Sequence, residues 1–140
     1  MTFDAQMRIG TLEITAALLL VAIASARPRV RAAAEIGRMQ PMRVVLEVQE
    51  LNSRRPYEGR PPFDLGRGRE LDLVLGDPEV SRRHARFESQ NGIVYVEDLH
   101  SRNGTFLNGR RVAEAIEIRE GDAVDAGTTR LLVKSIRPWT

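Results

Sequence analysis

Residues 66–109 read GRGRELDLVLGDPEVSRRHARFESQNGIVYVEDLHSRNGTFLNG, and this segment decides the fold. Short runs of apolar and β-branched residues alternate in it with Gly, Asn, Asp, Ser and Arg. Asn91-Gly92 and Asn108-Gly109 each separate two such runs, and Asn-Gly is the strongest short signal for a two-residue β-hairpin turn. The segment therefore predicts strands joined by tight turns, with small, polar and cationic side chains gathered in the loops.

The same pattern continues on both sides of this segment. Residues 52–62 are rich in Pro, Gly, Asn, Ser and Arg, which predicts a loop. Many short strands with regular turn signals and no helical period are typical of an all-β sandwich. The predicted strands cover residues 43–49, 63–65, 72–75, 85–89, 93–98, 105–107, 110–112, 115–118, 122–126 and 130–136.

Length and composition limit the possible functions. A chain of 140 residues is large enough for one domain with a modest tail. It has no cysteine and only two histidines, which excludes thiol catalysis, a Cys-ligated zinc and a His-rich metal site. We therefore predict no metal and no other cofactor. The formal net charge is +2, and all but one of the 21 basic residues are arginine.

The first part of the chain differs in character from the rest. We predict a hydrophobic helix and a basic linker over residues 1–41, followed by the β domain over residues 42–137. Residues 9–26 are apolar except for Glu13 and a few small polar residues. These eighteen residues are close to the roughly 20 needed to cross a bilayer. Arg27, Arg29 and Arg31 follow and would keep the β domain in the cytoplasm.

Two other interpretations of residues 9–26 stay open. The segment could be a soluble helix packed on a partner or on the chain itself. It could also be a cleaved signal peptide, since Ala24-Ser25-Ala26 fits an A-x-A cleavage site. The arginines just beyond that site oppose translocation.

The polar loops carry the functional signal. Arg67 comes directly after a predicted strand and a glycine, where its planar guanidinium can reach a ligand at the tip of a loop. Arginine forks and serine hydroxyls are among the groups that bind phosphate oxygens. If these loops converge, they form a site for one phosphate group.

The ordered motifs of this segment resemble those of the forkhead-associated (FHA) family. They are Gly66-Arg67, Ser81-x-x-His84, Ser101-x-Asn103-Gly104-Thr105 and Asn108-Gly109. The resemblance covers about residues 42–136. It implies an eleven-stranded β-sandwich that binds phosphothreonine peptides through the loops at one end.

The resemblance also implies roles for individual residues. Arg67, Ser81 and Arg82 would bind the phosphate, Asn103 would hold the backbone of the peptide, and Arg102 would add positive potential. The remaining motif residues would support the loops, namely Gly66, His84, Gly104, Thr105, Asn108 and Gly109. The Ser81–His84 spacing could suggest a nucleophile with its base. We assign His84 a structural role instead, and we predict no catalytic residue.

Two functional hypotheses follow. In the first, the domain binds phosphothreonine-containing proteins in Ser/Thr kinase signalling, and residues 9–26 tether it to the inner face of the cell membrane. In the second, the same fold is an assembly module that contacts partners without phosphate. A nucleic-acid binder is not expected, because the chain lacks interleaved aromatic residues on which bases could stack.

Overall fold

The computed structural model describes residues 40–140, and residues 1–39 lie outside the described part of the chain. The helix predicted over residues 9–26 lies within residues 1–39, and the predicted domain boundary at residue 41 lies just beside them. Both therefore stay predictions. Within residues 40–140, no helix has the length and apolar character required to cross a membrane.

The described residues form eleven β-strands in two sheets, which confirms the predicted all-β sandwich. In chain order the strands are β1 (Met42–Glu50), β2 (Ser53–Gly59), β3 (Phe63–Gly66), β4 (Leu73–Val74), β5 (Ala85–Gln90), β6 (Ile93–Asp98), β7 (Thr105–Leu107), β8 (Arg110–Arg111), β9 (Ile116–Glu117), β10 (Ala123–Ala126) and β11 (Thr129–Pro138).

The two sheets contain six and five strands. One sheet has the order β2-β1-β11-β10-β7-β8, and the other has the order β4-β3-β5-β6-β9. Neighbouring strands are antiparallel, except that β3 and β4 run parallel. The last strand extends to Pro138, one residue beyond the predicted domain end.

Buried side chains alternate with more exposed ones along the strands, and the buried ones form the core between the sheets. In β1, Met42, Val44, Leu46 and Val48 are buried, because successive side chains of a strand point to opposite faces. In the other sheet, the rings of Phe63 and Phe87 stack with centroids 4.9 Å apart. This core fixes the strand ends from which the loops of the site project.

The loop predicted over residues 52–62 is wrong, because Ser53–Gly59 form β2. Among residues 40–140, this strand lies at the edge of the six-stranded sheet and pairs only with β1. An edge strand tolerates Pro56, which has no N–H to donate. The half-buried Tyr57 packs on Phe63 with ring centroids 5.3 Å apart. Pairing with β1 therefore overrides a composition that is typical of loops.

Both predicted Asn-Gly turns are confirmed. Asn91 and Gly92 have φ of 54° and 77° between β5 and β6, and Asn108 and Gly109 have φ of 49° and 82° between β7 and β8. Two successive residues with positive φ match the twist of a two-residue hairpin, and Asn followed by Gly adopts this conformation at low cost.

Candidate functional site

Three loops meet at one end of the sandwich and enclose a pocket of about 440 Å³. Arg67 comes from the β3–β4 loop, Ser81 and Arg82 from the β4–β5 loop, and Arg102 and Asn103 from the β6–β7 loop. All five residues predicted to bind the phosphopeptide line this pocket. The structure thus brings together positions that are up to 36 residues apart in the chain.

Arg67 is held in place by the neighbouring loop. Its backbone N–H donates to the carbonyl of Ser81 at 3.0 Å, and its Nε donates to the carbonyl of Val80 at 3.2 Å. Its two terminal guanidinium nitrogens have no partner within residues 40–140. They remain available to donate to two oxygens of a ligand in a bidentate pair.

Gly66 explains why the β3–β4 and β4–β5 loops lie so close together. A Cβ at this position would overlap the carbonyl oxygen of Arg82, so any larger residue would push the two loops apart. The adjacent Gly68 N–H donates to that same carbonyl at 3.0 Å. The glycine is required by close approach, because its φ is not among the positive values.

His84 joins two loops of the site from inside the core. It is fully buried, its Nδ1 accepts the Ser81 N–H at 3.0 Å, and its Nε2 lies 3.0 Å from the carbonyl of Gly104. Since Nδ1 accepts, the ring proton is assigned to Nε2, which donates to Gly104. Both nitrogens are therefore engaged, and neither is free to take a proton from Ser81.

Ser81 has its backbone N–H committed to His84, which leaves only its side chain for a ligand. This N–H is therefore not available to a phosphate oxygen. The Ser81 hydroxyl oxygen accepts the Arg102 N–H at 2.9 Å, and its own hydrogen stays available for donation. Ser81 thus aligns the β6–β7 loop and still presents one donor to the pocket.

Asn103 is oriented by a residue that the sequence hypothesis did not include. Its Nδ2 donates to the backbone oxygen of Glu79 at 2.8 Å and to the Glu79 carboxylate at 3.1 Å. Reversing the amide would place its oxygen against two acceptors, so the orientation is determined. Asn103 Oδ1 has no partner in the described part of the chain and can accept from a ligand.

The supporting motif residues divide into two groups. Gly104 and Thr105 lie beside the pocket, where Gly104 has φ of 84° and the buried Thr105 begins β7. Asn108 and Gly109 lie at the opposite end of β7. There Asn108 Nδ2 donates to the Asp122 carboxylate and Asn108 Oδ1 accepts the Ala123 N–H, at 2.9 Å each. Asn108 and Gly109 therefore stabilise the sandwich far from the pocket.

Two aspartates that sequence reasoning did not assign to the site hold its loops. Asp98 accepts from the N–H and hydroxyl of Ser101 and from the hydroxyl of Thr105. Burial alone would raise the pKa of Asp98, but these hydrogen bonds outweigh it and hold the pKa below its usual value. The only local signal was an acidic residue three positions before a serine, which is common in ordinary turns.

Asp77 has an equivalent role in the β4–β5 loop. Its carboxylate accepts from the N–H of Glu79 at 2.9 Å, the N–H and hydroxyl of Thr128 at 2.7 Å each, and the hydroxyl of Thr129 at 3.0 Å. Burial raises the pKa of Asp77, and these bonds together bring it below the usual value. The partners from β11 and the turn before it are about 50 positions away, so no local pattern reveals them.

These two carboxylates should make the free energy of unfolding depend on pH in the acid range. A group whose pKa is lower in the folded state stabilises the fold above its unfolded pKa, and that stability is lost as pH falls through the folded value. We expect the free energy of unfolding to fall as pH drops below about 4, the unfolded value for aspartate. Asp77→Asn should lower the free energy of unfolding at about pH 7. It should also reduce the amount by which that free energy falls as the pH is lowered. Urea unfolding across this range measures both effects; an unchanged decline in the variant contradicts the assignment.

The electrostatics of the pocket favour an anion. Arg67, Arg82 and Arg102 have no carboxylate within 4.0 Å among residues 40–140. The adjacent Arg83, by contrast, pairs with Asp64 at 2.8 Å and points away from the pocket lining. Three unpaired guanidinium groups around one cavity attract a ligand with concentrated negative charge.

A family model described as the FHA domain matches residues 63–127, which include every loop of the pocket. Over these residues the β-sandwich matches a forkhead-associated domain. FHA domains are binding modules, and Arg67, Ser81 and Asn103 of the family's motifs line the pocket here.

Relatives agree with this assignment. The chain is 40% identical over 80 residues to the FHA domain-containing protein FhaB of Mycolicibacterium smegmatis, covering 57% of this chain and 50% of that protein. The chain thus spans about half the length of this relative. The FHA domain of the CT664 protein from Chlamydia trachomatis superposes with a TM-score of 0.62 at 29% identity, covering 66% of this chain and 97% of that one.

A third similar protein comes from a structural and functional study of phosphothreonine-dependent FHA domain interactions. Its TM-score is 0.59 at 29% identity, and the match covers 68% of this chain and 99% of that chain. Its domain is therefore matched over nearly its whole length.

Proposed function

We propose that this FHA domain binds phosphothreonine-containing proteins through the pocket and recruits them in Ser/Thr kinase signalling. The observation that carries the proposal is the convergence of Arg67, Arg82 and Arg102 on one cavity without carboxylate partners among the described residues. A phosphate group adds about −1.5 to −2 charge at neutral pH and three acceptor oxygens, which match these donors. The phosphothreonine dependence studied in the similar domain supports the same ligand.

The remaining groups of the pocket fit a peptide around that phosphate. The Ser81 hydroxyl can donate to a phosphate oxygen, and Asn103 Oδ1 can accept a peptide N–H beside the phosphothreonine. We assign no reaction to the site, and the committed nitrogens of His84 support a role in binding without catalysis.

Residues 9–26 are proposed to anchor the domain at the cytoplasmic face of the membrane. Fractionation of the full chain tests the anchor, and a full-length protein that stays soluble without detergent contradicts it.

The proposed function is tested by titrating the full chain with a phosphothreonine peptide and its unphosphorylated twin. Two charge-assisted hydrogen bonds of about 1.5 kcal/mol each predict at least about a 100-fold preference for the phosphorylated form. Fluorescence anisotropy of labelled peptides measures both dissociation constants. Equal affinities, or partner capture that survives phosphatase treatment, would support the phosphate-independent assembly module instead.

A further inference from the structure

Glu79 stands between the phosphate-binding pocket and a second groove. It lines the pocket with the three arginines, and with Pro78 it also lines an adjoining groove of about 500 Å³. That groove runs to the β1–β2 turn, where the side chain of Leu51 is 85% exposed. A peptide that leaves the phosphate site in this direction must cross Glu79.

The groove has the opposite charge to the pocket. The lining that residues 40–140 provide contains three carboxylates and no basic residue. Two of them already have donors: Glu50 accepts the Gly76 N–H at 2.7 Å and lies 3.6 Å from Arg55, and Asp77 holds the turn described above. Glu79 differs, because its carboxylate contacts only the neutral Asn103 amide and no cation within residues 40–140.

An uncompensated carboxylate beside a phosphate site weakens binding of a bare phosphate by like-charge repulsion. The repulsion becomes an advantage when the ligand itself brings a positive charge to Glu79. A lysine or arginine side chain suits this position, because its aliphatic stem can pack on Pro78 and Leu51 while its charged head reaches the carboxylate. A carboxylate in a ligand at the same point would be rejected.

We infer that Glu79 is a specificity-determining residue that selects phosphothreonine peptides carrying a lysine or arginine on the side that crosses it. This inference rests on the proposed function of the pocket and adds a sequence preference to it. It is supported by the absence of a cation beside Glu79 within residues 40–140, by the position of Glu79 in the lining of both cavities, and by the exposed apolar Leu51.

Glu79→Gln isolates the charge. A glutamine oxygen can still accept from Asn103 Nδ2, and the bond from Nδ2 to the backbone oxygen of residue 79 does not depend on the side chain. The amide orientation of Asn103 is therefore kept. The matched control is Glu117→Gln, which removes an exposed carboxylate from β9, outside both cavities.

The experiment uses the full chain and a set of alanine-glycine peptides with one central phosphothreonine. Lysine, norleucine or glutamate is placed at one flanking position at a time, and affinities are measured by fluorescence anisotropy at low and high salt. We expect one flanking position where lysine binds up to about fivefold more tightly than norleucine, as for an exposed ion pair. High salt should reduce this preference.

Glu79→Gln should abolish the lysine preference and tighten binding of the norleucine peptide, whereas Glu117→Gln should change neither. A lysine preference that survives Glu79→Gln overturns the inference, as does its absence at every position in the unmodified chain. Both results leave the proposed function intact, because the phosphopeptides still bind. If the unmodified chain binds none of the phosphorylated peptides, the proposed function fails and the inference fails with it.

Discussion

Replacing Arg67 with alanine is expected to reduce phosphothreonine-peptide affinity by at least about 100-fold while the domain stays folded. The loss follows from removing a bidentate guanidinium, whose charge-assisted hydrogen bonds contribute about 1.5–3 kcal/mol each. The cost to the fold is smaller, about 1 kcal/mol, because within residues 40–140 the exposed side chain makes only the Nε bond to the Val80 carbonyl. Isothermal titration and urea unfolding separate the two effects.

Arg69→Ala is the matched control for this prediction. Arg69 is an exposed arginine of the same loop that does not line the pocket, so its loss removes the same charge from the chain without touching the site. Arg67→Lys should give an intermediate affinity, because the charge remains but the planar fork is lost. If Arg67→Ala binds as tightly as Arg69→Ala, the assignment of Arg67 to the phosphate is wrong.

Replacing His84 with phenylalanine is expected to lower the free energy of unfolding by about 2–6 kcal/mol. The ring and its packing remain, but the Ser81 N–H and the Gly104 carbonyl lose their partners inside the protein. Each buried polar group left without a hydrogen bond costs about 1–3 kcal/mol. The denaturant midpoint measures the loss. Phosphopeptide affinity should also fall in conditions where the variant is folded, because His84 aligns the loops that carry Ser81 and Asn103.

His100→Asn controls for the loss of a histidine. His100 is exposed and has φ of 54°, a conformation that asparagine adopts readily, so stability and affinity should stay close to those of the unmodified protein. Equal stability of His84→Phe and His100→Asn would show that the buried ring does not hold the loops through its nitrogens.

The locally encoded parts of the fold could be predicted. Alternating burial in β1 and the two Asn-Gly turns depend on residues adjacent in the chain, and ten of the eleven strands were recognised from such signals. The strand that was missed, β2, contains Arg54, Arg55 and Pro56 and acquires its extended conformation from pairing with β1. Edge pairing is a tertiary effect with a weak local signature.

The same division applies to the site. The sequence by itself determined which residue types stand at the loop tips, because Arg67, Ser81 and Asn103 belong to motifs of contiguous residues. Only the tertiary structure decided their partners: Asp77 is held by Thr128, Glu79 orients Asn103, and Asn108 lies far from the pocket. Motif chemistry is local in the chain. A hydrogen bond between loops depends on how the two sheets bring their ends together, and no short stretch of sequence encodes that distance.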